Sequence, residues 1–118
     1  MPRPLDQRPA AKQWRHKTTR PDEIYQCDAT MFIIPGWGRY KAILVVDDFS
    51  RKLLAVLLMP DETSHSIANA VEIALENAHR EGHNPRVKPK MLSDNGPGFI
   101  GEVLAEYLMA RGIGHIFV

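Results

Sequence analysis

A short apolar run that stops at an acidic residue places the strongest constraint on how this chain folds. The run begins at Pro89, reaches Asp94, and then breaks into a turn that contains Asn95 and Gly96. An apolar segment of this length, bounded by turn residues, predicts a buried strand. Asp94 is therefore expected at the tip of a strand, beside a turn where glycine lets another molecule approach the backbone closely.

A second acid interrupts an earlier strand-like segment. From Ile24 the residues alternate, with apolar side chains on one face and Gln26, Asp28 and Thr30 on the other, which is typical of a half-buried strand. Aspartate is disfavoured inside strands, so Asp28 is conspicuous on this polar face. Taken singly, Asp28 is better explained as a surface acid and Asp94 as a turn-forming acid.

The remaining residues up to 118 switch between strand and helix patterns. Asp47 and Asp48 precede a tight turn and fit Asx-type turn residues better than metal ligands. No internal repeat is present. In order, the patterns predict strands at 24–32, 40–46 and 52–59, a helix at 64–80, a strand at 89–94, a helix at about 99–111 and a strand from 113.

Charge is distributed unevenly along the chain. Residues 1–22 carry six Lys or Arg against two Asp, whereas residues 23–118 carry nine against twelve Asp or Glu. Four prolines and the lack of any apolar period predict that residues 1–22 form a basic extended linker or arm. The arm's cations, among them Arg15, Lys17 and Arg20, suit contact with phosphates, although a solvated tether explains them equally well.

Length and composition predict one compact soluble domain after this arm. No apolar run approaches the roughly 18 residues that span a bilayer. The start of the chain lacks a signal peptide, and its single cysteine, Cys27, cannot form an internal disulfide, so the expected location is cytoplasmic. His115 and the other isolated histidines lack metal-ligand spacing.

Three segments in this order resemble the catalytic core of the DDE recombinases, which include retroviral integrases and bacterial insertion-sequence transposases. They are Cys27-Asp28-Ala29-Thr30, then Asp48-Phe49-Ser50-Arg51, then Ser93-Asp94-Asn95-Gly96 followed by Phe99. The resemblance covers roughly residues 23–118. It implies a ribonuclease H-like α/β fold, with a five-stranded mixed sheet and helices, and a bacterial protein associated with the nucleoid.

The resemblance also implies an activity and a site. Enzymes of this family cut and join DNA by metal-dependent phosphodiester transesterification, so Mg²⁺ or Mn²⁺ is the expected cofactor. Asp28 and Asp94 match the family's metal-binding catalytic acids, and Asn95 and Gly96 lie where DNA approaches. Donor and target DNA and further copies of the chain are the expected partners, and no membrane is.

One departure from the family pattern concerns the third acid. The family places a glutamate roughly 35 residues after the second aspartate, but only 24 residues follow Asp94 here. The chain is therefore expected to be a C-terminally truncated core with little activity of its own. Glu72 and Glu76 are the only helical substitutes. The alternatives are a ribonuclease H-like hydrolytic nuclease that uses one of them, and a non-catalytic DNA-binding remnant.

Overall fold

A computed structural model describes residues 17–59, 63–83 and 88–118. The element order is the one that the sequence patterns predict, with a 3₁₀ turn added before the second helix. The elements are β1 (Ile24–Ile34), β2 (Gly38–Asp47), β3 (Leu53–Met59), α1 (Ser64–Arg80), β4 (Lys90–Ser93), the 3₁₀ turn (Pro97–Phe99), α2 (Glu102–Arg111) and β5 (His115–Phe117).

The five strands form one mixed sheet in the order β3-β2-β1-β4-β5. β1, β2 and β3 pair antiparallel as a meander, and a register shift between Val45 and Val46 marks a bulge in β2. β4 pairs with β1 and β5 pairs with β4, both in parallel. The two crossovers run through α1 and α2, so the strands on either side of each helix point the same way.

The hydrophobic core lies between one face of the sheet and the two helices. Alternate residues of the strands enter it, because side chains of a strand point to opposite faces in turn. α1 contributes a stripe at helical spacing, and α2 contributes two leucines. The core includes Tyr25, Cys27, Ile43 and Val45 from the sheet, Ile67, Val71 and Ala74 from α1, and Leu104 and Leu108 from α2.

The other face of the sheet carries the remaining strand positions, and we call it the open face. Its residues include Gln26, Asp28 and Thr30 of β1, and Val56 and Leu58 of β3, which follow from the strand registers. Val56 and Leu58 are 54% and 48% exposed. Both described helices pack on the opposite face, so an apolar area of the sheet faces solvent here.

The helix ends are specified by local residues. Thr63 is the N-cap of α1, where its Oγ1 accepts a hydrogen bond from the Ser66 amide at 3.1 Å. α2 begins after Gly101 and ends at Gly112, which adopts a left-handed φ of 72°. A Cβ atom on Gly101 would lie 1.8 Å from Ser64 Oγ, so the close approach of α1 explains glycine at this cap.

Neither helix of the described residues has the length and apolar character needed to cross a bilayer.

Candidate functional site

Asp28 lies within β1, and Asp94 directly follows β4, the strand that pairs with β1 in parallel. This pairing runs through Gln26 and Leu92, which are Cα partners. Asp28 lies two residues after Gln26, and Asp94 lies two residues after Leu92, just past the end of β4, so this register, continued by two residues, would set the two acids side by side. Neighbouring strands are about 4.8 Å apart. Because both positions have the parity of Gln26 and Leu92, both carboxylates project from the open face.

Both carboxylates are exposed, and each is oriented by one nearby backbone amide. Asp28 Oδ1 accepts a hydrogen bond from the Ala29 amide at 2.9 Å. Asp94 Oδ1 accepts one from the Gly96 amide at 2.8 Å, which closes an Asx turn at the end of β4. No described lysine or arginine forms an ion pair with either acid. The remaining carboxylate oxygens are thus open to an external ligand.

This donor set fits Mg²⁺ or Mn²⁺. Both ions prefer hard oxygen ligands, and Mg²⁺ typically binds through one or two carboxylates and retains several waters. Within the described residues, no group of three or more His, Cys, Asp and Glu side chains could hold a metal ion. The chain therefore offers two adjacent carboxylates, and further ligands would come from water or from a substrate phosphate.

Asn95 and Gly96 continue directly from the acid pair. Asn95 is exposed, and the backbone then enters the 3₁₀ turn, in which Gly98 and Phe99 are buried. Ser64 Oγ donates to the Gly98 carbonyl at 3.1 Å, so the start of α1 supports this turn. An exposed amide side chain beside two carboxylates is compatible with a phosphodiester backbone that lies across the end of the sheet.

Two of the arm's predicted cations lie near the start of β1. Thr18 Oγ1 donates to Asp48 Oδ2 at 2.9 Å, and the Asp48 amide donates to the Ile24 carbonyl at 2.9 Å. Lys17 and Arg20 are exposed and adjoin this contact, and neither forms an ion pair with Asp28 or Asp94 among the described residues. Arg15 lies outside the described residues.

Asp47 is a turn residue, which confirms the interpretation favoured from the sequence. Its Oδ2 accepts hydrogen bonds from the Ser50 amide and the Ser50 hydroxyl, both at 2.8 Å. Its Oδ1 accepts from the Asp22 amide at 2.7 Å. Asp48 accepts from Thr18 and Gln26 and lies 3.9 Å from Arg51. Asp47 thus holds the β2–β3 turn, and Asp48 links that turn to Thr18 and to β1.

The sequence patterns did not predict a buried polar cluster just before the start of β1. Asp22, only 7% exposed, accepts a hydrogen bond from the Tyr25 hydroxyl at 2.5 Å. His83 Nδ1, past the end of α1, lies 2.8 Å from the other Asp22 oxygen. Burial raises the pKa of Tyr25, and the hydrogen bond to Asp22 raises it further. No spacing in the sequence signals this cluster, because its members meet only when β1 and α1 pack together.

Glu72 faces α2 rather than the acid pair. Its Oε1 accepts a hydrogen bond from the Tyr107 hydroxyl at 2.6 Å and forms an ion pair with Arg111 at 2.6 Å. Burial raises the pKa of Tyr107, and Glu72 adds to the effect. α1 packs on the covered face of the sheet, whereas Asp28 projects from the open face. The sheet therefore separates Glu72 from the acid pair, which argues against its use as a third ligand.

Comparison with known sequences gives one family match. The profile of the family described as Integrase core domain matches residues 18–118. None of the curated proteins compared with this chain matches it.

Three solved structures illustrate the structural similarity. The HTLV-2 integrase catalytic core domain in complex with magnesium has 26% sequence identity and a TM-score of 0.64, over 83% of this chain and 60% of that one. A chain of the simian T-cell lymphotropic virus intasome, bound to PP2A regulatory subunit B56 gamma, has 22% identity and a TM-score of 0.70, over 87% and 34%. The catalytic domain of Mos1 mariner transposase has 11% identity and a TM-score of 0.67, over 80% and 48%.

These similarities confirm the predicted ribonuclease H-like α/β fold with its five-stranded mixed sheet. At 22% and 11% identity, the second and third structures speak for the fold alone. The chain spans 60% of the HTLV-2 domain and a smaller share of the other two.

Proposed function

This chain belongs to the integrase core domain family, and from that membership we propose that it is part of a catalytic core that cuts and joins DNA by metal-dependent transesterification. The observation that carries the proposal is the parallel register of β1 and β4, which pairs Gln26 with Leu92, each two residues before one of the acids. Two exposed carboxylates without a cationic partner among the described residues are costly to place together unless a cation offsets their repulsion.

In this proposal Asp28 and Asp94 hold the divalent cation. When bound, Mg²⁺ or Mn²⁺ supplies activation of a water or 3′ hydroxyl and stabilisation of the leaving oxygen. The Gly96 amide orients Asp94, and the Ala29 amide orients Asp28, so both ligands are partly fixed before a cation arrives. Asn95 and Gly96 then contact the scissile strand through the amide side chain and the accessible backbone.

We further propose that the third acid of the family lies outside this sequence, on a segment that covers the open face. The exposed Val56 and Leu58 side chains are where such a segment would bury apolar area. Two carboxylates bind an ion without fixing the geometry that in-line displacement demands. The 118-residue chain by itself is therefore expected to have little nicking or strand-transfer activity.

The test compares two chains in a metal-dependent oligonucleotide nicking and strand-transfer assay. One is the present chain, and the other extends it through the following residues of its gene to the expected glutamate. Asp94→Asn in each is the blank. Activity that appears only in the longer chain and vanishes in Asp94→Asn supports the proposal. Robust cleavage by the short chain would contradict the need for a third acid, and no cleavage by either would favour a non-catalytic DNA-binding remnant.

The basic arm is proposed to contact DNA phosphates without sequence preference. Residues 1–16 carry four of the arm's six Lys or Arg. Each phosphate contact adds about 0.9 to the slope of log affinity against log salt concentration. Removing residues 1–16 leaves the buried Thr18 contact in place and should reduce that slope. An unchanged slope would mean that the arm is only a tether.

A further inference from the structure

His115 makes a short polar contact with a side chain of β4 that no pattern in the sequence predicts. It stands on β5, where it is the Cα partner of Met91 and shares a face with Ser93. Its Nε2 lies 2.6 Å from Ser93 Oγ. Ser93 is 3% exposed and immediately precedes Asp94, so this contact reaches the backbone of a proposed metal ligand.

The hydrogens in this contact can be assigned by counting donors. A serine hydroxyl carries one hydrogen, and Ser93 Oγ donates it to the Asp94 carbonyl at 3.0 Å. With its hydrogen on that bond, Ser93 Oγ accepts from His115 in the tautomer that carries hydrogen on Nε2; the other tautomer would take the Ser93 hydrogen instead. The result is a directed chain of hydrogen bonds from His115 through Ser93 to the main chain of Asp94.

The surroundings of His115 fix the ring and keep it neutral. The imidazole stacks on Phe117, with ring centroids 3.8 Å apart. It lines an apolar cavity of about 590 Å³ whose walls include Phe99, Leu108 and Ile113. Burial lowers the pKa of His115, because a charged imidazole is poorly solvated there. A neutral ring has one donor nitrogen, which makes the choice between Nε2 and Nδ1 decisive.

Asp94 is thereby held at two points. Its carbonyl receives the Ser93 hydroxyl, and its carboxylate receives the Gly96 amide at 2.8 Å. Ser93 is also tied to β5 through its own carbonyl, which accepts from the Val118 amide at 2.9 Å. Metal ligands bind well only when their supporting groups fix them, and loss of such a group typically costs 10- to 100-fold in affinity or activity.

We propose that His115 is a positioning residue for the metal site: through Ser93, it fixes the main chain of Asp94 so that the carboxylate is preorganised to receive a divalent cation. This inference rests on the proposed function of Asp94, but the hydrogen-bond chain can be tested without it.

The first test is the tautomer of His115 in the 118-residue chain, read by long-range ¹H–¹⁵N correlation spectroscopy at neutral pH without metal. The expected result is hydrogen on Nε2 and a bare Nδ1. The opposite tautomer would overturn the assignment, because Ser93 would then donate to the ring and not to Asp94. A second readout is hydrogen exchange of the Gly96 amide, which is expected to be faster in His115→Leu than in His115→Gln.

The second test is Mg²⁺ titration, followed by the amide shifts of Asp94 and Gly96. His115→Leu should weaken Mg²⁺ binding about 10- to 100-fold. His115→Gln, whose amide nitrogen can take the place of Nε2, should restore binding to within about threefold. His79→Leu, at an exposed position at the far end of α1, is the matched control and should bind as the unaltered chain does. Equal binding by His115→Leu and the unaltered chain would overturn the proposal.

Ser93→Ala keeps the test decisive if His115→Leu does not fold. Because both residues act through one chain of hydrogen bonds, Ser93→Ala should weaken Mg²⁺ binding by a similar factor, and combining it with His115→Gln should bring no rescue. If the double variant bound Mg²⁺ as tightly as the unaltered chain, His115 could not act on Asp94 through Ser93. If the unaltered chain shows no Mg²⁺-dependent shift at Asp94, the proposed function fails, while the tautomer and exchange results still decide whether His115 orders Asp94.

Discussion

Replacing Tyr25 with phenylalanine should make the stability of this protein depend differently on pH. The Tyr25 hydroxyl is buried and donates to Asp22 Oδ1 at 2.5 Å. Removing it leaves the 7% exposed carboxylate of Asp22 without that donor. A hydrogen bond to a charged group contributes about 1.5–3 kcal/mol, so Tyr25→Phe should lower the free energy of unfolding by roughly 2 kcal/mol at pH 8.

Ionisation of the Tyr25 hydroxyl should make the difference in unfolding free energy between the unaltered chain and Tyr25→Phe smaller at high pH. An unfolded tyrosine ionises near pH 10, whereas burial and the Asp22 hydrogen bond raise the pKa of folded Tyr25 above that value. Its stabilising contribution is therefore complete below pH 10 and is lost as the pH rises toward the folded pKa. The loss is about 1.4 kcal/mol per pH unit. An initial difference of roughly 2 kcal/mol should thus vanish near pH 11.5.

Urea unfolding at several pH values between 8 and 11.5, followed by circular dichroism, measures this difference. With an m-value of about 2 kcal/mol/M, the midpoint of Tyr25→Phe should lie about 1 M lower at pH 8 and converge on that of the unaltered chain at the highest pH. Tyr40→Phe is the control, since no described residue is a hydrogen-bond partner of the Tyr40 hydroxyl. A midpoint difference for Tyr25→Phe that stays constant with pH would refute the buried hydrogen bond.

Three further substitutions test other parts of the structure. Gly101→Ser should destabilise the fold because the new Cβ would meet Ser64 Oγ. In a double-mutant cycle measured by urea unfolding, adding Ser64→Ala should recover about 1 kcal/mol of that loss. Strictly additive effects of the two substitutions would contradict the contact. Glu72→Gln should lower the free energy of unfolding by about 1 kcal/mol and leave the affinity for Mn²⁺ unchanged. A lower Mn²⁺ affinity would indicate that Glu72 is a metal ligand after all. Leu58→Lys should reduce self-association of the chain, as measured by sedimentation, because it places a charge on the apolar open face. If the unaltered chain is strictly monomeric, the open face does not cause self-association.

The sequence patterns predicted correctly those parts of the fold that depend on residues close together in the chain. The predicted helix at 64–80 has the observed bounds, because Thr63 provides the N-cap and Gly82 follows its end with a left-handed φ of 89°. The second helix ends before Gly112 for the same reason. The β2–β3 turn was likewise predictable, since Asp47 satisfies the Ser50 amide and hydroxyl within four residues.

Contacts between distant elements were beyond the sequence patterns. Ser93 and His115 meet because β4 and β5 pair in one particular parallel register, and a shift of one residue would turn His115 to the other face. Asp22 and His83 meet only because the end of α1 returns to the start of β1. The resemblance to the family implied the adjacency of Asp28 and Asp94, which spacing alone could not supply, because the two acids are 66 positions apart in the sequence.

Paramagnetic broadening by Mn²⁺ tests the central claim most directly. In the ¹H–¹⁵N spectrum of the 118-residue chain, substoichiometric Mn²⁺ should broaden the amides around Asp28 and Asp94 first. Asp28→Asn and Asp94→Asn should each abolish that selective broadening, while Asp48→Asn, whose carboxylate is already engaged by Thr18 and Gln26, should preserve it. Broadening centred on Asp48 or on Glu72, or unchanged in Asp28→Asn and Asp94→Asn, would contradict a metal site formed by Asp28 of β1 and Asp94 after β4.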